Sequence, residues 1–251
     1  MDLFSLKGKT ALVTGCAGGI GRGIAEGLAR AGADIAGVDL QPLDGTRESV
    51  TALGRRFYAF SADLSDTDTV AAMWGQALAE TGGIDILVNN AGTQYREGVC
   101  DFPLEMFDRV MAVNLRSAYQ LSQLAARHYI GTGKKGKIIN LASLFSTFGG
   151  LNVSAYTCSK HGMVGLTRAF SNEVSRYGIT VNALAPGYIA TEMTRSIWSD
   201  PEKRRPMDER LPIGRWGTPE DFAGPAVFLA SAASDYVTGI VVPVDGGYTA
   251  R

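Results

Sequence analysis

Ser143, Tyr156 and Lys160 can all hold or move a proton, and the last two stand four apart in Tyr156-Thr157-Cys158-Ser159-Lys160. Residues at i and i+4 share one face of a helix, with Cβ atoms about 5–6 Å apart. A helix over 154–177 would therefore turn the phenol and the ammonium toward the same space. A free phenol ionises near ~10, too high for a base at neutral pH. One cation about 4 Å away, at an effective dielectric of about 20, is worth roughly 4 kcal/mol. At about 1.4 kcal/mol per tenfold, that is an upper bound of about a thousandfold in the ionisation constant. The chemistry this suggests is proton exchange with an alcohol or carbonyl whose oxygen Ser143 also hydrogen-bonds. Taken alone, the pair could equally be two side chains on an amphipathic helix with no shared task.

Positioning these groups requires a regular scaffold, and the chain supplies its pattern. Apolar strand candidates fall at 10–14, 34–39, 57–62, 84–89, 137–142, 179–185 and 240–244. Helical stretches occupy 19–31, 44–53, 66–80, 103–130, 154–177 and 219–230. Alternation of this kind predicts an α/β fold, a doubly wound parallel sheet with helices on both faces. No linker or repeat interrupts it, so residues 1–251 are expected to form a single domain. The one long irregular stretch, 188–218, is polar and charged, and reads as a substrate lid. Ser143 ends the fifth strand, where open α/β sheets bind ligands.

The first strand runs into Thr14-Gly15-Cys16-Ala17-Gly18-Gly19-Ile20-Gly21 and then a helix. Glycines there allow a tight turn and close approach of a pyrophosphate to the helix N-terminus. Their spacing can be parsed two ways, and no Gly-Lys-Ser/Thr closes the turn as a Walker loop would require. Asp39 ends the second strand, 24 residues after Gly15. A carboxylate at that place can bind both ribose hydroxyls and repels a 2′-phosphate. The reading is NAD, with Arg22 in the glycine turn as the one signal for NADP.

Composition narrows the alternatives. A formal net charge of −1, with no basic run, gives no basis for nucleic-acid binding. Cys16, Cys100 and Cys158 lack metal or redox spacing, and His128 and His161 stand far apart, so no metal is expected. There is no signal peptide and no apolar run long enough to span a membrane, so a cytoplasmic protein is expected.

These motifs together resemble the short-chain dehydrogenase/reductase family, in its short single-domain branch of Rossmann-type folds, over nearly the whole chain. Thr14-Gly15-x-x-x-Gly19-x-Gly21 is similar to the family's cofactor turn, and Asn89-Asn90-Ala91-Gly92 to its fourth-strand motif. Ser143, 13 residues before Tyr156, matches the family serine, Tyr156-x-x-x-Lys160 the active-site pair and Asn114 the helix asparagine of the tetrad. Pro186-Gly187 followed by Thr191, and Asp245-Gly246-Gly247, match later segments.

The resemblance implies that Tyr156 is the acid/base, with Ser143 orienting the reacting oxygen. Lys160 would lower the Tyr156 pKa and hold the nicotinamide ribose, and Asn114 would position a backbone carbonyl and water of a proton relay. It places Gly15, Gly19, Ile20, Gly21, Asp39, Asp63, Leu64, Asn90, Ala91, Gly92, Pro186, Gly187, Ile189 and Thr191 along the cofactor. It implies a homotetramer built on the helices bearing Met111, Leu115, Tyr119, Met163, Leu166 and Phe170.

Stretches such as Gly214-Arg215-Trp216-Gly217 and Ser234-Asp235-Tyr236-Val237 resemble bacterial dehydrogenases of 2-deoxy-D-gluconate, with sugar-alcohol dehydrogenases close behind. The expected reaction is hydride transfer between NAD(H) and a secondary alcohol or ketone of a small sugar acid, such as 2-deoxy-D-gluconate or 2-keto-3-deoxygluconate. A polyol dehydrogenase, a 3-oxoacyl-carrier-protein reductase and a non-catalytic cofactor-binding regulator are the alternatives. Substrate contacts are expected from Gln94, Arg96, Ser143, Phe145, Asn152, Tyr156 and Tyr188. Arg96 falls where those sugar-acid enzymes carry arginine, whereas Asn152 replaces a residue that is commonly basic in them.

Overall fold

The computed structural model describes residues 3–251. The strands are β1 (Thr10–Thr14), β2 (Asp34–Val38), β3 (Phe57–Phe60), β4 (Ile86–Asn89), β5 (Gly136–Leu141), β6 (Ile179–Pro186) and β7 (Val241–Val244). All pair in parallel, in the order β3-β2-β1-β4-β5-β6-β7. The helices are α1 (Gly19–Arg30), α2 (Asp44–Ala52), α3 (Thr67–Thr81), α4 (Leu104–Met111), α5 (Ser117–Thr132), α6 (Ser154–Val174), α7 (Arg195–Trp198), α8 (Pro201–Asp208) and α9 (Ala223–Ala230).

Strand alternation builds two cores. Ala11 and Val13 of β1 pack with Ile24 and Leu28 of α1 and Leu229 of α9. Leu12, between them, packs on the other face with Trp74 of α3 and Leu121 of α5. Central strands covered on both faces need apolar residues at every position, which is why they read as continuous hydrophobic runs. The chain leaves β1 toward β2 on one side and reaches β4 on the other. That reversal opens a crevice beyond the carboxyl ends of β1 and β4.

Local chemistry sets the boundaries. Asp66 caps α3 by accepting the Thr69 N–H at 2.7 Å, and Gly82 ends that helix in the left-handed region at φ 75°. The expected helix over 103–130 is broken: between α4 and α5 lies a π-helical stretch, Ala112–Arg116. This widened turn carries Asn114, which is fully buried. The helix expected over 219–230 starts with a 3₁₀ turn, Pro219–Phe222, before α9 begins.

The stretch 188–218 is more ordered than its composition suggests. It holds a 3₁₀ turn, Glu192–Thr194, then α7 and α8, the last capped by the Asp200 carboxylate. Leu211 and Trp216 from this stretch and Tyr248 from the C-terminal segment form a small core of their own.

Candidate active site

A cleft of about 590 Å³ lies at the carboxyl ends of β1, β4, β5 and β6. Its floor is the glycine turn. Gly15 has φ 67°, and a Cβ there would lie 2.8 Å from Ala91 Cα, so no other residue fits without moving the backbone. A Cβ on Gly21 would overlap the Gly15 carbonyl oxygen and Asn90 Nδ2. Asn90 Nδ2 donates to the carbonyls of Thr14 and Gly15 at 2.8 and 2.9 Å. Thr14 Oγ1 accepts the N–H groups of Asn90 and Ala91, both at 3.0 Å. The turns after β1 and β4 are thus locked together. Gly18 precedes α1 with no side-chain cap, which leaves the first N–H groups of α1 for a ligand.

Asp39 follows β2. Its Oδ2 accepts the Ala17 N–H and its Oδ1 the Gln41 N–H, each at 3.0 Å, so the carboxylate is held at the cleft wall. Arg22 turns away from it, donating to Glu26 Oε1 and Ser49 Oγ at 2.8 Å. Every residue expected along a cofactor, from Gly15 to Thr191, lines this one cleft. A backbone cradle that only glycine fits, next to a helix N-terminus and a fixed carboxylate, suits a dinucleotide. Arg109 and Val113 also line it and were not anticipated. Their spacing of four, with Val113 directly before Asn114, was the available signal.

Ser143, Tyr156 and Lys160 meet in the same cleft. The Ser143 hydroxyl accepts the Phe145 N–H at 3.2 Å and lies near enough to the Tyr156 phenol to pull its pKa down. Lys160 is 3% exposed, and its Nζ donates to the Leu141 carbonyl at 2.6 Å. Ser146, which motif reading missed, joins the two segments. Its Oγ accepts the Ser143 N–H at 3.1 Å and donates to the Lys160 carbonyl at 2.7 Å.

The electrostatics differ from the expectation that Lys160 lowers the Tyr156 pKa. Burial pushes the Tyr156 phenol up, with the nearby Ser143 hydroxyl pulling the other way. Burial also pushes the Lys160 amine down, to about 8. The Lys160 Nζ lies 5.5 Å from the centre of the Tyr156 ring, with Leu141 O as its hydrogen-bond acceptor. Desolvation therefore outweighs the attraction between the two.

Asn114 does not line the cleft but sits just behind it. A Cβ on Gly92 would be 3.5 Å from Asn114 Oδ1 and 3.8 Å from Lys160 Nζ. Asn114 Oδ1 accepts the Thr93 N–H at 2.8 Å, while Nδ2 donates to Thr93 O at 2.9 Å and Ser159 Oγ at 3.1 Å. Ser159 Oγ in turn donates to Tyr156 O at 2.7 Å, so Asn114 braces the first turn of α6.

Of the residues expected at a substrate, Ser143 and Tyr156 line the cleft, and the other five lie outside its lining. Phe145 meets the Tyr156 ring edge-on at 6.3 Å. Tyr188 packs on Trp216 and Tyr248 at 5.2 and 5.1 Å. Gln94 Nε2 donates to Met193 O at 3.2 Å. Asn152, in the left-handed region at φ 59°, accepts the Glu97 N–H on its carbonyl at 3.1 Å. Arg96 is exposed and forms no ion pair among the described residues, while the Glu97 carboxylate accepts the Gly98 N–H at 2.8 Å.

This fold and cleft define an oxidoreductase of the nicotinamide-dependent, doubly wound class. A family profile described as enoyl-(acyl carrier protein) reductase matches residues 15–249. The chain belongs to the short-chain dehydrogenase/reductase family and acts on CH–OH groups. It is 50% identical to the 2-dehydro-3-deoxy-D-gluconate 5-dehydrogenase of Escherichia coli K12, covering 100% of this chain and 99% of that one. The enzyme of the same name from Bacillus subtilis 168 is 51% identical, with 100% and 98% covered. A gluconate 5-dehydrogenase from Burkholderia cenocepacia J2315, solved with NADP and tartrate, superposes with TM-score 0.94 at 38% identity, covering 100% and 98%. No helix among the described residues is long and apolar enough to cross a membrane.

Proposed function

We propose that this protein transfers a hydride between NAD(H) and a secondary alcohol or ketone of a small sugar acid. The observation carrying this reading is the convergence of Ser143, Tyr156 and Lys160 on the cleft that holds the glycine turn and Asp39. The sugar-acid names of full-length relatives at about half identity support the substrate class. The cofactor supplies the hydride acceptor or donor. Tyr156 exchanges a proton with the substrate oxygen, which the neighbouring Ser143 hydroxyl orients. Lys160 binds the nicotinamide ribose, and Asn114 and Ser146 keep the segments bearing Tyr156, Lys160 and Ser143 in register. An intact set of these residues argues against a silent cofactor-binding regulator. Turnover of sugar acids, polyols and 3-hydroxyacyl thioesters, each with NAD and NADP, tests the reading. Activity confined to the thioesters would overturn it.

The cofactor choice rests on Asp39. Its carboxylate is held at the cleft wall, while Arg22 is committed to Glu26 and Ser49. NAD is expected to be preferred, although the Burkholderia relative was solved with NADP. Asp39→Ala should narrow the ratio of kcat/KM values by about tenfold or more, since about 1.4 kcal/mol of repulsion is tenfold. Equal kcat/KM for both cofactors in the unaltered protein would remove this role for Asp39.

Self-association as a cytoplasmic homotetramer is also expected. Among the side chains first assigned to such an interface, Met163 and Leu166 are buried in the chain's own core, with Leu115 and Phe170 packed against it. Tyr119 remains 52% exposed, its ring edge-on to Phe170 at 5.2 Å. Light scattering at micromolar concentration should give four times the chain mass, and a monomer refutes the assembly.

A further inference from the structure

The stretch 188–218 contributes Ile189, Thr191, Glu192, Met193 and Thr194 to the wall of the cofactor cleft. These residues form a stiff unit. Thr191 and Thr194 cap the 3₁₀ turn reciprocally. Thr194 Oγ1 donates to the Ile189 carbonyl at 2.5 Å, and Trp198 Nε1 donates to the Thr191 carbonyl at 3.0 Å. The turn also roofs the start of α1, because a Cβ on Gly19 would lie 3.6 Å from Thr191 Cγ2, an ordinary contact. A dinucleotide whose phosphates meet the glycine turn therefore lies under residues 191–194.

Both ends of the stretch close on one stem. There the Ala190 N–H donates to Gly217 O at 2.9 Å and the Gly217 N–H to Tyr188 O at 3.0 Å. Apolar packing holds the far side, with Ile197, Trp198 and Met207 against the small core of Leu211, Trp216 and Tyr248. Among the described residues, one hydrogen bond joins 190–208 to the chain outside 188–218. It runs from Gln94 Nε2 to the Met193 carbonyl, at 3.2 Å. Thr93 and Met193 both line the cleft, so this bond spans it. The Gln94 side is firmly anchored. The Thr93 N–H donates to Asn114 Oδ1 at 2.8 Å, and Asn114 Nδ2 donates back to Thr93 O at 2.9 Å. Through Ser159 Oγ the same asparagine is tied to the first turn of α6, which carries Tyr156.

We propose that Gln94 latches residues 191–194 over the dinucleotide and so sets how fast the cofactor leaves. It is a positioning residue of the cofactor site, not a contact to the substrate. The roof must lift off the glycine turn before a dinucleotide can escape, and lifting it separates Met193 from Gln94. The stem at Gly217 stays closed in that motion, because its two bonds lie within the moving stretch. Steps of this kind limit turnover in many enzymes with lids. The proposal rests on the cleft holding a nicotinamide dinucleotide and on no particular substrate.

Stopped-flow displacement of bound NADH and NADPH, followed by their fluorescence, tests the latch with no substrate present. Gln94→Ala should release the cofactor about two- to tenfold faster, the net effect of one neutral hydrogen bond. Gln94→Glu is the sharper variant. It keeps the length and shape of the side chain, but at pH 7 its carboxylate can only accept and so cannot bond the Met193 carbonyl. Its release should be at least as fast as that of Gln94→Ala. In Gln94→Ala the KM of the best substrate should stay within about twofold, because the amide is committed to Met193. Release unchanged in both variants overturns the latch and leaves the cofactor assignment standing. A raised substrate KM with unchanged release also overturns it and returns Gln94 to the substrate. An unaltered protein that binds neither NADH nor NADPH removes the cofactor assignment, and the latch with it.

Discussion

Tyr156→Phe is expected to lower kcat by at least about 10²–10⁴-fold, the usual contribution of a positioned acid or base. NAD binding should survive. The ring stays, with its edge-on contact to Phe145 at 6.3 Å, and only the hydroxyl is lost. The glycine turn, the Asp39 carboxylate and the Lys160 amine keep their own partners, none of which is the phenol oxygen. Turnover with the best sugar acid and titration of NADH fluorescence are the two measurements. A variant retaining a tenth of the parental kcat would sink the assignment of Tyr156 as the acid/base.

Lys160→Met should have two opposite effects: a higher melting temperature and a loss of turnover of about 10²–10⁴-fold. Burial pushes the Lys160 amine from its ordinary 10.5 down to about 8. The unfolded chain keeps the ordinary value, so between about pH 8 and 10.5 it binds more protons than the fold does. Stability consequently rises with pH across that window. Below it the fold carries a desolvated ammonium at full cost, up to about 3 kcal/mol. Methionine occupies a similar volume without the charge. At about 2–4 °C per kcal/mol for a chain of this size, the variant should melt several degrees above the parent at pH 7. The two should converge toward pH 10.5. A variant that melts below the parent at pH 7 would show that Lys160 is not held at a cost.

The two predictions share a cause. The site keeps a phenol and an amine in surroundings that favour their neutral forms, which holds the phenol protonated and brings the amine within reach of losing its proton near pH 8. Ser146 and Ser159 hold them there through hydrogen bonds to backbone groups, and Asn114 through the Ser159 hydroxyl.

Much of this was legible in one dimension. Parallel strands with helical crossovers bring the carboxyl ends of β1, β4, β5 and β6 to one edge. Motifs written at those ends, from Gly15 through Asn90 and Ser143 to Pro186, must then share a cleft. Spacing of four placed Tyr156 and Lys160 together for an equally local reason.

Contacts between distant segments were not legible. The break at Ala112–Arg116 sits where Asn114 bonds Thr93 and Ser159, 21 and 45 residues away, and apolar periodicity reports neither partner. The direction of the Tyr156 pKa depends on how much water the folded cleft excludes, which no spacing encodes. The charges of the stretch 188–218 nearly cancel when counted along the chain. Folding spends most of its cations within helical turns or on Asp221, and leaves Arg210 over Tyr248, 38 residues further on. Local geometry follows from bond lengths and helical repeat, which sequence neighbours share. Desolvation and the choice of ion-pair partner belong to surfaces that exist only once distant segments meet.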